Sequence, residues 1–152
     1  MAMLDRHAIH DLVHRTAALL DEENLDEWLN LFDENAAYEL CAYSPEIRKW
    51  MSWWKSDRAT LTRQLKEVDQ HVRDPASRRR LVGAPRVELN GDRARAVSPF
   101  AVYRTTPEGQ SSLYMVGRYE DALIKKSGAW LYTLHRAITD TRLLESFTHI
   151  PI

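Results

Sequence analysis

The chain has 152 residues, 44% of them hydrophobic, with 21 basic and 22 acidic side chains and a formal net charge of -1. One domain of this length buries roughly 70% of the surface its unfolded form exposes, so it needs neither disulfide nor metal to hold a core. The balanced charge argues against nucleic acid, no apolar run approaches the roughly 20 residues of a membrane span, and the single cysteine, Cys41, excludes an internal disulfide. The opening MAMLDRHAIHD lacks the apolar core of a secretory signal. The expectation is a cytoplasmic protein with no membrane or nucleic-acid partner, folded as one domain over residues 1–152.

Leu4 to Asp21 reads as a helix, because Ile9, Leu12, Val13, Thr16 and Leu20 share one arc at helical spacing. His7, His10 and His14 fall on the opposite flank. They read as a polar stripe and not as a metal site, since no HExxH-type pattern accompanies them. Leu25 to Phe32 reads as a second helix, with Asn24 as N-cap, Glu27 three residues on, and Trp28, Leu29 and Phe32 as its apolar face. Asp33-Glu34-Asn35 breaks that pattern, and Ala36 to Tyr43 reads as a strand. Ser44 to Ser56 carries Trp50, Trp53 and Trp54. Rings at this density favour core edges and interfaces, so the segment reads as a docking surface in preference to a lid.

A third helix is expected from Asp57 to His71, on Leu61, Leu65 and Val68, with Asp74-Pro75 ending it. The run Arg78-Arg79-Arg80 is the only tight basic cluster and reads as a strand end with ion pairs before it reads as a phosphate site. Leu81 to Leu89 and Ala94 to Thr105 flank Asn90-Gly91-Asp92, a hairpin signal. Pro99 inside the second arm predicts an edge position or a bulge. After the turn at Thr106 to Gln110, Ser111 to Thr141 reads as two long strands joined by Lys126-Ser127-Gly128. Helices segregated from a largely antiparallel sheet make an α+β domain. Packed on one face of a strongly curved sheet, they form a cone with a pocket between. This element order resembles the nuclear transport factor 2-like, or cystatin-like, fold.

No Gly-rich phosphate loop and no GxSxG elbow is present, and Cys41 lies mid-strand, where buried thiols are inert. A Rieske centre needs two cysteines and two histidines, so this chain cannot hold one alone. A proton-transfer site has candidates in Asp33, Tyr38, His71, Arg118, Asp121, His135 and Asp140. A histidine and an aspartate facing one pocket act as base and orienter. His135 and Arg136 are neighbours in a strand and point to opposite faces. On this reading the chain is a stand-alone dehydratase or isomerase using His71, His135 and Asp33. A ligand-binding module without turnover is a third possibility.

Gly117-Arg118-Tyr119-Glu120-Asp121, followed by Trp130, Arg136 and Asp140-Thr141-Arg142-Leu143-Leu144, resembles the small (beta) subunit of Rieske-type aromatic-ring-hydroxylating dioxygenases. Upstream, Asp57, Leu61, Arg63, Pro75, Ser77, Arg78 and Arg80 fit that family's helix and following strand, and the Trp50 to Trp54 cluster departs from it. The resemblance implies a nuclear transport factor 2-like subunit that is structural and non-catalytic. Its partner is a large alpha subunit carrying the Rieske [2Fe-2S] cluster, the mononuclear iron and the aromatic substrate's pocket, typically three copies of each. No cofactor, metal ligand or catalytic residue is then expected in this chain. Arg118, Glu120, Asp121, Arg136 and Asp140, with Trp50, Trp53 and Trp54, are expected at interfaces. The arginines are expected to pair with Glu120, Asp121, Asp140 or a partner's carboxylates. Self-association as a homotrimer is expected from the amount of aromatic and charged ribbon that one such domain leaves uncovered.

Overall fold

The computed structural model describes residues 1–68, 73–146 and 148–152. Among the described residues, three helices, α1 (Ala2–Asp21), α2 (Leu25–Leu29) and α3 (Arg58–Lys66), accompany seven strands. These are β1 (Phe32–Ser44), β2 (Lys49–Asp57), β3 (Ser77–Val82), β4 (Arg86–Asn90), β5 (Arg93–Thr105), β6 (Ser111–Lys126) and β7 (Ala129–Thr139). The sheet runs β2-β1-β7-β6-β5-β3, with β4 also paired to β5. All pairings are antiparallel except β1 with β7, which join in parallel and bring the two halves of the chain together. The architecture is α+β of the nuclear transport factor 2-like kind.

The helices cover one face. α1 buries Ile9, Leu12, Val13, Thr16, Ala17, Leu19 and Leu20 and lies against β3 and β4, while α3 lies against β1 and β2. His7 and His14 of α1 stay exposed, His14 with its Nε2 3.4 Å from the Val82 carbonyl oxygen of β3. Asn24 accepts the Glu27 amide and caps α2, and Asp57 accepts the Thr60 amide at 2.7 Å and caps α3. These short side chains satisfy amides that a helix start leaves without partners.

The boundaries differ from expectation for local reasons. α2 stops at Leu29, and β1 already begins at Phe32, where Phe32 pairs with Tyr132 before a register shift restores pairing at Ala37. α3 ends at Lys66, short of the expected His71, which lies outside the described residues. The expected strand Leu81 to Leu89 is two strands, because Pro85 lacks the amide a ladder needs. Pro99 sits opposite that break. To either side of the break Phe100 pairs with Val82 and Val97 with Arg86, and the Pro99 carbonyl accepts the Gly83 amide at 2.9 Å. A proline is tolerated mid-sheet there because the side without its N–H faces no partner strand.

Ser44 to Ser56 is neither lid nor loop. After a turn it returns as β2, an edge strand antiparallel to β1, with Trp53 as the extra residue of a bulge between Leu40–Trp54 and Cys41–Ser52.

Candidate functional site

Strand periodicity divides the family-like residues between the two faces of the sheet. On the outer face, away from the helices, β1 presents Glu39 and Cys41, β6 presents Arg118 and Glu120, and β7 presents Arg136 and Ile138. With Trp50 of β2 these line a groove of about 390 Å³. Arg136 donates from Nε to Glu39 Oε2 at 2.9 Å across the parallel pair, and Arg118 donates from Nε to Glu120 Oε1 at 3.1 Å. Both arginines are partly exposed, which keeps each pair a modest electrostatic feature. Trp50 is 57% exposed and meets Tyr43 edge-on at 5.5 Å between ring centres. Burial pushes the Cys41 thiol up from its ordinary range, which leaves it a poor nucleophile.

The structure thus brings together Trp50, Arg118, Glu120 and Arg136. It does not bring the others. Trp53 projects from the bulge at the sheet margin, 36% exposed. Trp54 faces inward, where its ring meets Tyr38 edge-on at 5.5 Å and its Nε1 donates to Ser56 and Gln64, tying β2 to α3. Asp140 lies exposed beyond the end of β7, its amide bonded to the Val116 carbonyl at 2.8 Å. The arginines pair with Glu39 and Glu120, not with Asp121 or Asp140. Glu39 was not foreseen, although its register opposite Arg136 follows once the parallel β1–β7 pairing is known.

Asp121 points into the cone. It stands directly across the hairpin from His135, and His135 Nδ1 lies 2.6 Å from Asp121 Oδ1, both side chains almost fully buried. The rings of Trp28, Phe32, Tyr38, Tyr119 and Tyr132 surround the imidazole at 4.8 to 6.3 Å between centres. Burial raises the Asp121 carboxyl above its ordinary range, and the adjacent imidazole opposes that shift. The same burial pushes Tyr38 and Tyr119 far above the usual phenol range. Residues 150–152 seal the cone beside this cage. Ile150 and Ile152 are buried, the Ile152 amide donates to Tyr38 Oη at 2.9 Å, and Arg80 Nη2 donates to the Pro151 carbonyl at 2.8 Å.

Of the residues considered for proton transfer, the structure brings His135, Asp121 and Tyr38 together in the cone and leaves Asp33 apart from them. Asp33 is held by Lys126 Nζ at 2.6 Å, which lowers its carboxyl. His71 lies outside the described residues. The basic run also resolves into structure. Arg79 is exposed, Arg80 pairs with Asp21 at 2.8 Å, and Arg78 and Arg104 both bond Asp74, at 3.1 and 2.7 Å. Among the described residues, no group of three or more His, Cys, Asp or Glu side chains could hold a metal.

The sequence profile of the SnoaL-like domain matches residues 1–135. A relative in Alcaligenes sp, the beta subunit of 2-aminobenzenesulfonate 2,3-dioxygenase, is 29% identical over 150 residues, covering 98% of this chain and 100% of its own. The beta subunit of the methanesulfonate monooxygenase hydroxylase of Methylosulfonomonas methylovora is 30% identical over 155 residues, covering 95% of this chain and 86% of its own. The chain belongs to the SnoaL-like oxygenase beta-subunit family. In structure, this beta subunit overlays the beta subunit of a proposed aromatic-ring-hydroxylating dioxygenase from Novosphingobium aromaticivorans. The TM-score is 0.88 over 99% of both chains at 21% identity, a likeness that bears on the fold.

Proposed function

We propose that this chain is the structural, non-catalytic small subunit of a multicomponent oxygenase. It assembles with and stabilises a large alpha subunit that carries the Rieske cluster, the mononuclear iron and the substrate pocket. The observation that carries this reading is how the cone is filled. The space in which a stand-alone enzyme of this fold would hold substrate is occupied by the chain's own rings, by the His135–Asp121 pair and by Ile150 and Ile152. Its mixed charged and aromatic side chains gather instead on the outer face of the sheet.

The assembly proposed is three large and three small subunits in the cytoplasm, with the small subunits associating as a trimer. Two relatives near 30% identity are named for sulfonate substrates, so we take an organosulfonate as the compound the whole enzyme oxidises. Co-expression with the large subunit should give a complex that turns over 2-aminobenzenesulfonate or methanesulfonate. The isolated small chain should bind no iron, oxidise nothing and sediment as a trimer. Stoichiometric iron or oxidation by the isolated chain would overturn the reading.

The buried dyad favours one second reading, a dehydratase or isomerase working by proton transfer. It requires turnover by the chain alone that His135→Ala abolishes. Retained oxygenase turnover in an assembly built with His135→Ala would leave the dyad a structural role.

A further inference from the structure

The two ends of the sheet are finished differently. At β3, the carboxylate of Asp21 from α1 accepts the Arg80 amide through both oxygens, at 3.1 and 3.2 Å, so a helix closes that margin. β2 is the opposite end of the strand order. Among the described residues, no hydrogen bond outside the β1 ladder involves the main chain of residues 49–56. An open strand margin presents a row of amides and carbonyls ready to pair with another strand. This one also shows Trp50 and Trp53 to solvent.

The charge left without an ion pair on that margin has one sign. Arg48, Lys49 and Lys55 are exposed and make no ion pair among the described residues. The acids nearby are already engaged, Glu46 by Arg142 and Asp57 by the first turn of α3. A second copy of β2 fits this margin badly. Antiparallel pairing centred on Trp53 sets two bulges against each other, and a bulge interrupts the ladder. Pairing centred on Ser52 faces Lys49 with Lys55, and like charges directly opposite are destabilising. The lysines that repel a like strand attract an acidic one.

We infer that β2 is the docking edge on which the large subunit lays an extended acidic segment as an added strand, an inference that rests on the beta-subunit reading above. Main-chain hydrogen bonds supply the affinity, the basic flanks select carboxylates, and Trp50 and Trp53 give apolar side chains of the segment a surface to cover.

The test is hydrogen exchange on the co-purified complex and on the isolated chain, together with Lys49→Glu/Lys55→Glu. The amides of residues 49–56 should exchange at least about ten-fold more slowly in the complex. The double variant should keep its circular dichroism and melting temperature yet bind the large subunit about ten-fold or more weakly. Arg79→Glu, on the closed margin, should bind normally. A complex whose β2 amides are unprotected overturns the inference while leaving the beta-subunit reading intact. So does protection that rises with concentration in the isolated chain, which would make a second copy the occupant. Failure to form any complex overturns both.

Discussion

Asp74 shows how single residues set this protein's response to acid. Its carboxyl is lowered to about 2 from an ordinary 3.8, first by the bonds from Arg104, with the Ala76 amide and Arg78 adding to it, all against the cost of burial. A carboxylate whose pKa falls on folding contributes stability that is complete above its unfolded pKa and lost as pH falls through the folded one. Urea unfolding should therefore lose on the order of 2 kcal/mol between about pH 4 and about pH 2 from this group. Asp74→Asn should flatten that part of the profile; an unchanged slope would show that the carboxylate is not held as described. His135 and Asp121 make a second residue-scale point. A buried pair is weak evidence for stability, because both groups have left water, yet it fixes one arrangement of the rings around it. The residues also show where reading by type fails. Asp121 and Glu120 are neighbours of similar chemistry, and strand alternation sends one into the core and the other to the outer groove.

At the scale of elements, the long hairpin of β6 and β7 depends on Gly117. A methyl group built there would lie 2.1 Å from the Ile138 carbonyl oxygen and 2.9 Å from the Thr139 Cα, both main-chain atoms that cannot step aside. Gly117↔Thr139 is the last rung of the pair, where residues 139–141 fold back on Val116 through the Thr139 and Thr141 hydroxyls. Gly117→Ala should cost about 1–3 kcal/mol, as overpacking does, with the strand end displaced. Equilibrium denaturation measures the cost, and a variant as stable as the parent would show that the two strands have room to part. Gly117 also opens the motif by which the family was legible, and close main-chain approach is the physical reason that position takes glycine. The bulge at Thr133 is the other decisive element feature. Counting back from the turn, Lys126 pairs with Ala129 and Leu123 with Tyr132, but Ala122 pairs with Leu134. Without that shift Asp121 would face Leu134, and the His135 pair would not form.

For the whole molecule, the parallel β1–β7 seam is what closes the fold. It joins strands from opposite ends of the chain, so a long loop must be ordered before the seam contributes anything. Non-local pairing of this kind slows folding, and refolding from urea should take roughly milliseconds to seconds, slower than helical domains of similar length. Stopped-flow tryptophan fluorescence follows it, since Trp28 is fully buried. A microsecond phase carrying the whole amplitude would contradict this. The same seam sets Glu39 beside Arg136 on the outer face and Tyr38 beside His135 within, so one topological event makes both the groove and the filled interior.

The chain's own sequence encodes the elements that depend on local periodicity: the apolar arc of α1, the Asn24 cap, the hairpin at Asn90-Gly91-Asp92, and the long ribbon. It also carried the family pattern from Gly117 to Leu144. These depend on residues a few positions apart, whose side chains and turn angles act on their own neighbourhood. Long-range pairing sets which charges share a face, since a one-residue bulge reverses every side chain beyond it. It decided that Trp50 looks outward while Trp54 packs inward, that Glu39 joins Arg136, and that Asp121 is withdrawn from the outer surface. It also decided that one sheet edge is closed by Asp21 while the other stays open. Register and long-range pairing are settled by what the assembled core must bury, and no short window of sequence contains that information.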